Sequence, residues 1–547
     1  MTPLNRRELI ASILGSSFMT MGGCDRHVKV PAGELLNPNF AIGHSLRDRM
    51  MDVPTGKLEH RTRVVIVGGG IAGLSAAWQL RREGIEDFVL LELEEAVGGT
   101  AKSGSRGKFA YPWGAHYVPT PMRENRSLIE LFREMQVIEP GGDDDEPVVG
   151  EQFLCRDPEE RVFFEGRWHE GLYPGQGASD EDLQQLARFQ TAIDEWVSAR
   201  DEQGQRLFTI PTSRTTRDAR AMKLDRQSMS QWMDENGFTS ERLRWLVDYS
   251  CRDDYGVNPS LVSAWAGLFY FSARQREKDS ESQAVITWPE GNGRIVHHLA
   301  DHTGDRIQSG YAVASVEQNP GSDVTVISLD VKTNQWHSHR CEQVIFAAPQ
   351  YMAAHLISDL PSSRLQASKA FQYSAWVVAN VHLSDRPQEH GFPMCWDNVI
   401  YGSNSLGYVT STHQTGNDHG STVLTWYYPM SAADGRLSRK ELLSLGWEHW
   451  SDIVMSDLLV AHPDIGSLVN RIDVMRWGHA MVTPGVGFID HPGRREAARP
   501  LGAIHFAGTD LSGIPLMEEA FDHGTRAASE VAGELMRRTS SSKASRS

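Results

Sequence analysis

The chain has 547 residues, 40% hydrophobic and 9% aromatic, and a formal net charge of -17 at pH 7. Such a length holds more than one core, and the acidic balance argues against general nucleic-acid binding, which needs cations to neutralise phosphates. No stretch in the body reaches the roughly 18 to 20 uninterrupted apolar residues of a membrane span. Five cysteines and 21 histidines are dispersed without metal-ligand spacing or a disulfide framework. His297 and His298 have no acidic partner at metalloprotease spacing and read as surface histidines, so no metal site is expected.

Asn5-Arg6-Arg7-Glu8-Leu9-Ile10 precedes a mostly apolar or small run to Gly23, a charged n-region followed by an h-region. The arginine pair with an apolar residue two positions on resembles the twin-arginine export signal, and Met21-Gly22-Gly23-Cys24 resembles a bacterial lipoprotein cleavage site. Residues 1–30 are therefore expected to be an export signal to the periplasm, with Cys24 a candidate membrane tether. Residues 31–60, with Pro31, Pro38 and Pro54, read as a linker or a strap over the body.

Folded structure is expected from Arg63. Val64-Val65-Ile66-Val67 is a β-branched run typical of a buried parallel strand. It leads into Gly68-Gly69-Gly70-Ile71-Ala72-Gly73 and then the helical pattern Leu74, Ala77, Trp78, Leu80. Gly68 permits a tight turn, Gly70 lets backbone approach a pyrophosphate, and Gly73 lets helix and strand pack closely. The helix N-terminus offers free N–H groups and a positive dipole end. A second strand, Phe88 to Leu91, ends in Glu92, placed to accept the ribose hydroxyls of an adenosine. Strand, turn, helix, strand and acid in order predict an adenine-dinucleotide site on a Rossmann-like α/β fold; the turn alone leaves FAD and NAD open.

Further along come a second glycine turn, Gly98-Gly99-Thr100-Ala101, and the segment Trp113-Gly114-Ala115-His116-Tyr117. Glu139 to Pro147 is an acidic, glycine-bearing loop. Asp180 to Tyr249 is largely helical, with Leu183, Leu186, Phe189, Ile193 and Trp196 at three- and four-residue spacing. Arg252-Asp253-Asp254-Tyr255 reads as a buried ion-pair network ahead of a substrate anchor. After the turn Pro289 to Arg294, strands are expected at Val324–Leu329, Val344–Ala347, Trp376–Leu383 and Val423–Tyr428. Aromatics in Trp396 to Tyr408 and Trp426 to Tyr428 belong by default to core packing, with pocket lining as the alternative. The strand Ala503 to Phe506 delivers Ala507-Gly508-Thr509-Asp510, and Leu516-Met517-Glu518-Glu519-Ala520 opens a helix. The serine-rich tail from Arg537 is expected to be disordered.

These motifs together resemble the flavin-containing amine oxidase superfamily, across roughly Arg63 to Leu535. The resemblance implies an α/β protein in which a Rossmann-like FAD-binding domain is interleaved with an α+β substrate-binding domain. Its expected parts are 61–150, 286–350 and 496–536 for FAD and a largely helical 151–285 plus 351–495 for substrate, with a tail at 537–547. It further implies noncovalent FAD, since no cysteine lies where attachment would be expected. FAD contacts fall to Gly68, Gly70, Ile71, Ala72, Gly73, Glu92, Gly98, Gly99, Thr100, Gly114, Ala115, His116, Tyr117, Val313, Gly508, Asp510, Leu516, Met517, Glu518 and Ala520. The implied reaction is hydride transfer from a substrate C–H bond to flavin N5, with oxygen or an unidentified acceptor taking the electrons.

The sequence departs from the amine-oxidising pattern at three places. Leu516 stands where an aromatic is usual, Arg476 to Met481 contains no tyrosine (Trp477 is a candidate substitute), and no lysine follows Ala348-Pro349. His355 is the candidate for that lysine's water-holding role, and His116 is the other candidate catalytic group. An amine, and given the acidic balance a cationic polyamine, is the leading substrate. A desaturase or oxidase of an apolar or cyclic substrate, or a flavin-bearing partner protein without turnover, stands as the alternative.

Overall fold

A computed structural model describes residues 31–48, 50, 53, 59–141, 145–277, 284–320, 323–431 and 433–544. Arg6, Arg7 and Cys24, and with them the export and lipidation expectations, lie outside these residues.

The β-branched run becomes the centre of a seven-stranded sheet. Val64–Val67 pairs in parallel with Phe88–Leu91 on one side and with Gln343–Phe346 on the other. Because side chains alternate across a strand, Val64 and Ile66 enter one apolar core while Val65 and Val67 enter the opposite one. The first core is covered by the helices Ile71–Arg82, Gly293–Thr303 and Met517–Ala544. Gly524 is required where the last of these crosses the first: a Cβ there would overlap the Ser75 hydroxyl and the Ala72 carbonyl. The strand Ile504–Phe506 joins in parallel beside Val344–Phe346, so this sheet gathers strands from well-separated stretches of chain.

An eight-stranded sheet forms the second layer system, in the order Ala32–Leu36, Val469–Val482, Tyr373–Leu383, Thr422–Met430, Tyr408–Thr410, Asp397–Ile400, Glu160–Phe164 and Arg167–Glu170. Leu424 and Trp426 face a core backed by the helix Trp447–Ala461, while Val423 and Tyr427 face the other side with Tyr111 and Trp113. A third group of helices, Asp180–Ser198, Met229–Glu235, Glu241–Tyr255 and Ala264–Ser272, packs around Phe189, Trp232, Phe208 and Trp265. Capping boxes at Ser179 and Ser228 start two of these helices. Leu183, expected on the buried stripe, is 48% exposed.

Two further expectations are corrected. The stretch 31–60 is more than a strap: Ala32–Leu36 is an edge strand parallel to Arg471–Met475, and Phe40–Arg47 is a helix. Gly33 hides that strand from a pattern search, yet it is what allows the approach, since a Cβ would overlap the Ile472 carbonyl and the Trp447 indole. The tail expected to be disordered continues as helix to Ala544. Among the described residues no helix is long and apolar enough to cross a membrane.

Candidate active site

The structure brings the elements of the expected cradle together. Gly68 turns with φ +103°, a conformation that excludes most side chains. Gly70 precedes the first residue of the helix Ile71–Arg82, and no protein atom lies within 4 Å of where its Cβ would point. Gly73 presses on Gly68, whose carbonyl a Cβ at Gly73 would overlap. The Gly69 amide donates to Glu92 Oε2 at 2.5 Å and the Glu94 amide to Glu92 Oε1 at 2.8 Å, so backbone holds the buried carboxylate at the turn. Burial pushes Glu92 above the ordinary carboxylate value, against those two donors. The second glycine turn docks on the first, with the Gly98 amide donating to the Gly69 carbonyl at 2.8 Å.

Lys102, two residues past the turn Gly98-Gly99-Thr100, was missed by sequence reading. Its ammonium lies 5.1 Å from the Trp477 ring centroid and within electrostatic reach of Glu92 and Glu94, and burial lowers its pKa. A basic side chain beside a phosphate-type glycine turn is the signal that would have found it.

The inner segment is fixed from two sides. The Ala115 amide donates to the Thr100 carbonyl at 3.0 Å, and Gly114 is so close to that carbonyl that a Cβ would overlap it. On the other side, the Asn292 amide donates to the Ala115 carbonyl at 3.1 Å and Asn292 Nδ2 to the Tyr117 carbonyl at 3.0 Å. Gly291, at φ +59°, sits so close that a Cβ would stand 2.8 Å from His116 Cα. The turn Pro289 to Arg294 is thus the clamp that presents Gly114 to Tyr117. Val313, buried at the bulge of its strand, lies in the core on the far face of the parallel sheet.

The closing segment places Asp510 fully inside. Its Oδ2 accepts from the Gln350 amide and the Tyr373 hydroxyl, both at 2.7 Å, while buried Oδ1 has no partner. An orphaned carboxylate oxygen, the open space at Gly70 and the backbone-held Glu92 together fit a dinucleotide whose polar groups complete them. Met517 and Ala520 are buried at the start of the last helix, Glu518 is buried and pushed up to about 7 by desolvation, and Leu516 packs on the apolar helical core. The neighbouring Glu519 accepts from the Thr212 amide at 2.6 Å and hydroxyl at 2.7 Å.

Beyond this cradle, aromatic rings gather on His116. Its ring centroid lies 4.9 Å from Tyr427, 5.1 Å from Tyr117 and 5.3 Å from Trp396. The Tyr427 hydroxyl donates to the Gly114 carbonyl at 2.9 Å, tying the second sheet to the inner segment. Desolvation drives His116 down to about 4, so the imidazole is neutral at pH 7. Two carboxylates accompany these rings. Asp397 accepts from the Tyr249 hydroxyl at 3.0 Å and is pushed up to about 7 by burial. Asp253 makes no hydrogen bond among the described residues; burial raises its pKa, and the like charges of Asp254 and Asp397 raise it further.

The cluster Arg252 to Tyr255 divides in its duties. Arg252 pairs with Asp248 at 2.8 Å, Asp254 pairs bidentately with Arg274 at 2.8 and 3.0 Å, and the Tyr255 hydroxyl donates to the Ala266 carbonyl at 2.7 Å. The expected network therefore forms and leaves Asp253 out of it.

His355 is not brought to this group. It lies on the exposed side of the short helix Gln350–Leu356, within electrostatic reach of Asp48, and a solvated ring is badly placed to hold a buried water. The indole of Trp477 donates to the Trp113 carbonyl at 2.7 Å, and the Lys102 ammonium lies over its ring.

A parallel sheet carrying a glycine cradle, closed by a C-terminal strand and helix and facing a second sheet that contributes a cluster of aromatic rings, defines the fold of the FAD-dependent amine oxidoreductases. The chain belongs to the flavin containing amine oxidoreductase family, whose model matches residues 71–532. FAD binds noncovalently, and the four described cysteines are buried and outside the cradle segments. The oxidoreductase PigB of Serratia sp. is 25% identical over 50% of this chain and 41% of its own. Canine amine oxidase [flavin-containing] A is 26% identical over 56% of this chain and 54% of its own. The chain thus spans about half the length of these curated relatives. A double mutant of putrescine oxidase superposes with a TM-score of 0.65 at 17% identity, covering 87% of this chain and 100% of that one.

Proposed function

We propose that the protein oxidises a primary or secondary amine that carries a second cationic group, a diamine or polyamine, with oxygen as the final acceptor. The observation that carries this reading is the pair Asp253 and Asp397, half-buried, within electrostatic reach of Tyr427 and hydrogen-bonded to no arginine or lysine among the described residues. A buried carboxylate without a cationic partner is costly, and an ammonium from the substrate offsets that cost.

FAD supplies the two-electron acceptor, which no side chain provides. The side chains then sort the two ends of the substrate. Against neutral His116 the environment disfavours charge, so the reacting nitrogen sits there unprotonated with its lone pair free. An imidazole titrating at about 4 is too weak a base to keep an ammonium proton, so that proton leaves to water as the substrate enters. His116 hydrogen-bonds the neutral amine, while Asp253 and Asp397 hold the distal ammonium and fix the distance between the ends. Putrescine oxidase, of similar fold, is named for a diamine.

Leu516 favours a second reading, an apolar or cyclic substrate, because it sits among the apolar side chains of the helical core where an aromatic is usual. Anaerobic titration separates the two. Reduction of the flavin by putrescine or spermidine at concentrations where benzylamine is ineffective supports the diamine reading; reduction by polyenes alone abandons it.

A further inference from the structure

His297 and His298 lack an acidic partner in their own segment, but the fold brings one from 164 positions away. Glu134 ends the helix Arg126–Glu134, and His298 and His302 lie one turn apart on the helix Gly293–Thr303. Glu134 Oε1 is 3.0 Å from His298 Nε2 and 2.8 Å from His302 Nε2, and the two imidazole centroids are 4.3 Å apart. All three donor atoms fall within 4.8 Å of one another.

We propose that Glu134, His298 and His302 form a binding site for a divalent transition metal of the zinc class, joining the two helices at the surface of the FAD-binding layer.

The donor set is the nitrogen and carboxylate combination that zinc, cobalt and nickel accept. The site also has the outer supports that metal ligands need. His302 Nδ1 lies 2.9 Å from the His298 carbonyl, so that nitrogen carries the proton and Nε2 presents a lone pair toward Glu134. The Trp78 indole donates to Glu134 Oε2 at 3.0 Å, which leaves Oε1 for the ion. A lone pair facing a carboxylate oxygen is repulsive unless a proton or a cation lies between them. Ligands about 2.0 to 2.1 Å from a tetrahedral ion stand about 3.3 Å apart, so the two nitrogen–oxygen spacings open by only about half an ångström, while the two nitrogens already lie within 4.8 Å of each other. Side-chain exposures of 34%, 21% and 41% for Glu134, His298 and His302 let the ion enter and let water complete its shell.

The test uses the untagged holoenzyme, stripped with EDTA and titrated calorimetrically with zinc chloride. The expected result is one zinc per chain, with affinity falling at least tenfold in His298→Ala, His302→Gln and Glu134→Gln. Trp78→Phe weakens it about tenfold through the carboxylate it orients. Flavin content reports that each variant is folded, and amine turnover is unchanged because these residues touch none of the pocket. Loss of zinc binding in folded, flavin-loaded variants establishes the site. Absence of a stoichiometric heat in the parent protein, or equal affinity in a folded His298→Ala/His302→Gln double variant, overturns it and leaves a proton-sharing cluster.

Discussion

Asp397→Asn removes one charge from the pocket while keeping an oxygen that can accept from the Tyr249 hydroxyl. The Asp397 carboxyl is raised from 3.8 to about 7, a difference of about 3 units, or about 4 kcal/mol of disfavour for its charged form. A carboxyl with a raised folded-state pKa holds its proton in the native state while the unfolded chain has released it. Stability is therefore fully present below pH 4, falls as pH rises from about 4 to 7, and stays low above that. Asn carries no such burden, so the variant is expected to unfold at a higher temperature than the parent at pH 8, with the advantage shrinking toward pH 4. Catalysis moves the opposite way. Truncating one partner of a buried charge pair costs about 2 to 3 kcal/mol, so kcat/KM for putrescine drops about 30- to 150-fold. A monoamine changes less than about threefold, having no second ammonium to lose. Calorimetric scans at pH 5 and pH 8 and steady-state oxygen uptake with both amines measure the two effects. Equal losses for diamine and monoamine, or a variant less stable than the parent at pH 8, would refute the assignment of Asp397 as an ammonium site.

Gly70→Val should fold, because no protein atom lies within 4 Å of the new Cβ and φ is an ordinary -72°. The purified variant should nonetheless lack yellow colour, and native-like flavin content would remove the phosphate-turn assignment. Gly524→Ala should destabilise by about 1 to 3 kcal/mol through overpacking between the last helix and Ile71–Arg82. A melting temperature equal to the parent's would show that the crossing is looser than described. Diamine KM should fall as pH rises through about 7, where Asp397 ionises, and a flat profile from pH 6 to 8 counts against that step. If residues 1–30 are an export signal, Cys24→Ser moves the protein from the membrane to the soluble periplasmic fraction, and an unchanged distribution rejects the tether.

What could be read from the sequence was what is local in it. The strand, turn, helix, strand and acid around Gly68 to Glu92 lie within one short stretch, so their geometry follows from φ freedom, backbone approach and helix polarity. The clamp at Gly291 and the closing acid Asp510 were legible as motifs, while their partners, His116 Cα and the Tyr373 hydroxyl, come from distant segments. The aromatic cluster around His116 was legible only as the alternative to core packing. Tyr427 belongs to a strand whose alternation reads as core, and only the pairing of Thr422–Met430 with Tyr373–Leu383 turns it toward His116. Asp253 lay within a charged cluster whose other members are paired, so its separate position depends on the helix Glu241–Tyr255 and on Arg274 choosing Asp254. The Glu134 and histidine cluster escaped for the same reason: the acid and the imidazoles share no segment.

In the proposed reaction, FAD in this cradle accepts electrons from an amine with a second positive charge. The most direct test is an anaerobic absorbance titration of the purified holoenzyme with putrescine, spermidine and benzylamine. The expected flavin spectrum bleaches with the two polyamines at concentrations where benzylamine leaves it unchanged. A flavin spectrum indifferent to every amine contradicts the proposed reaction, and a colourless protein that FAD does not restore contradicts the cradle itself.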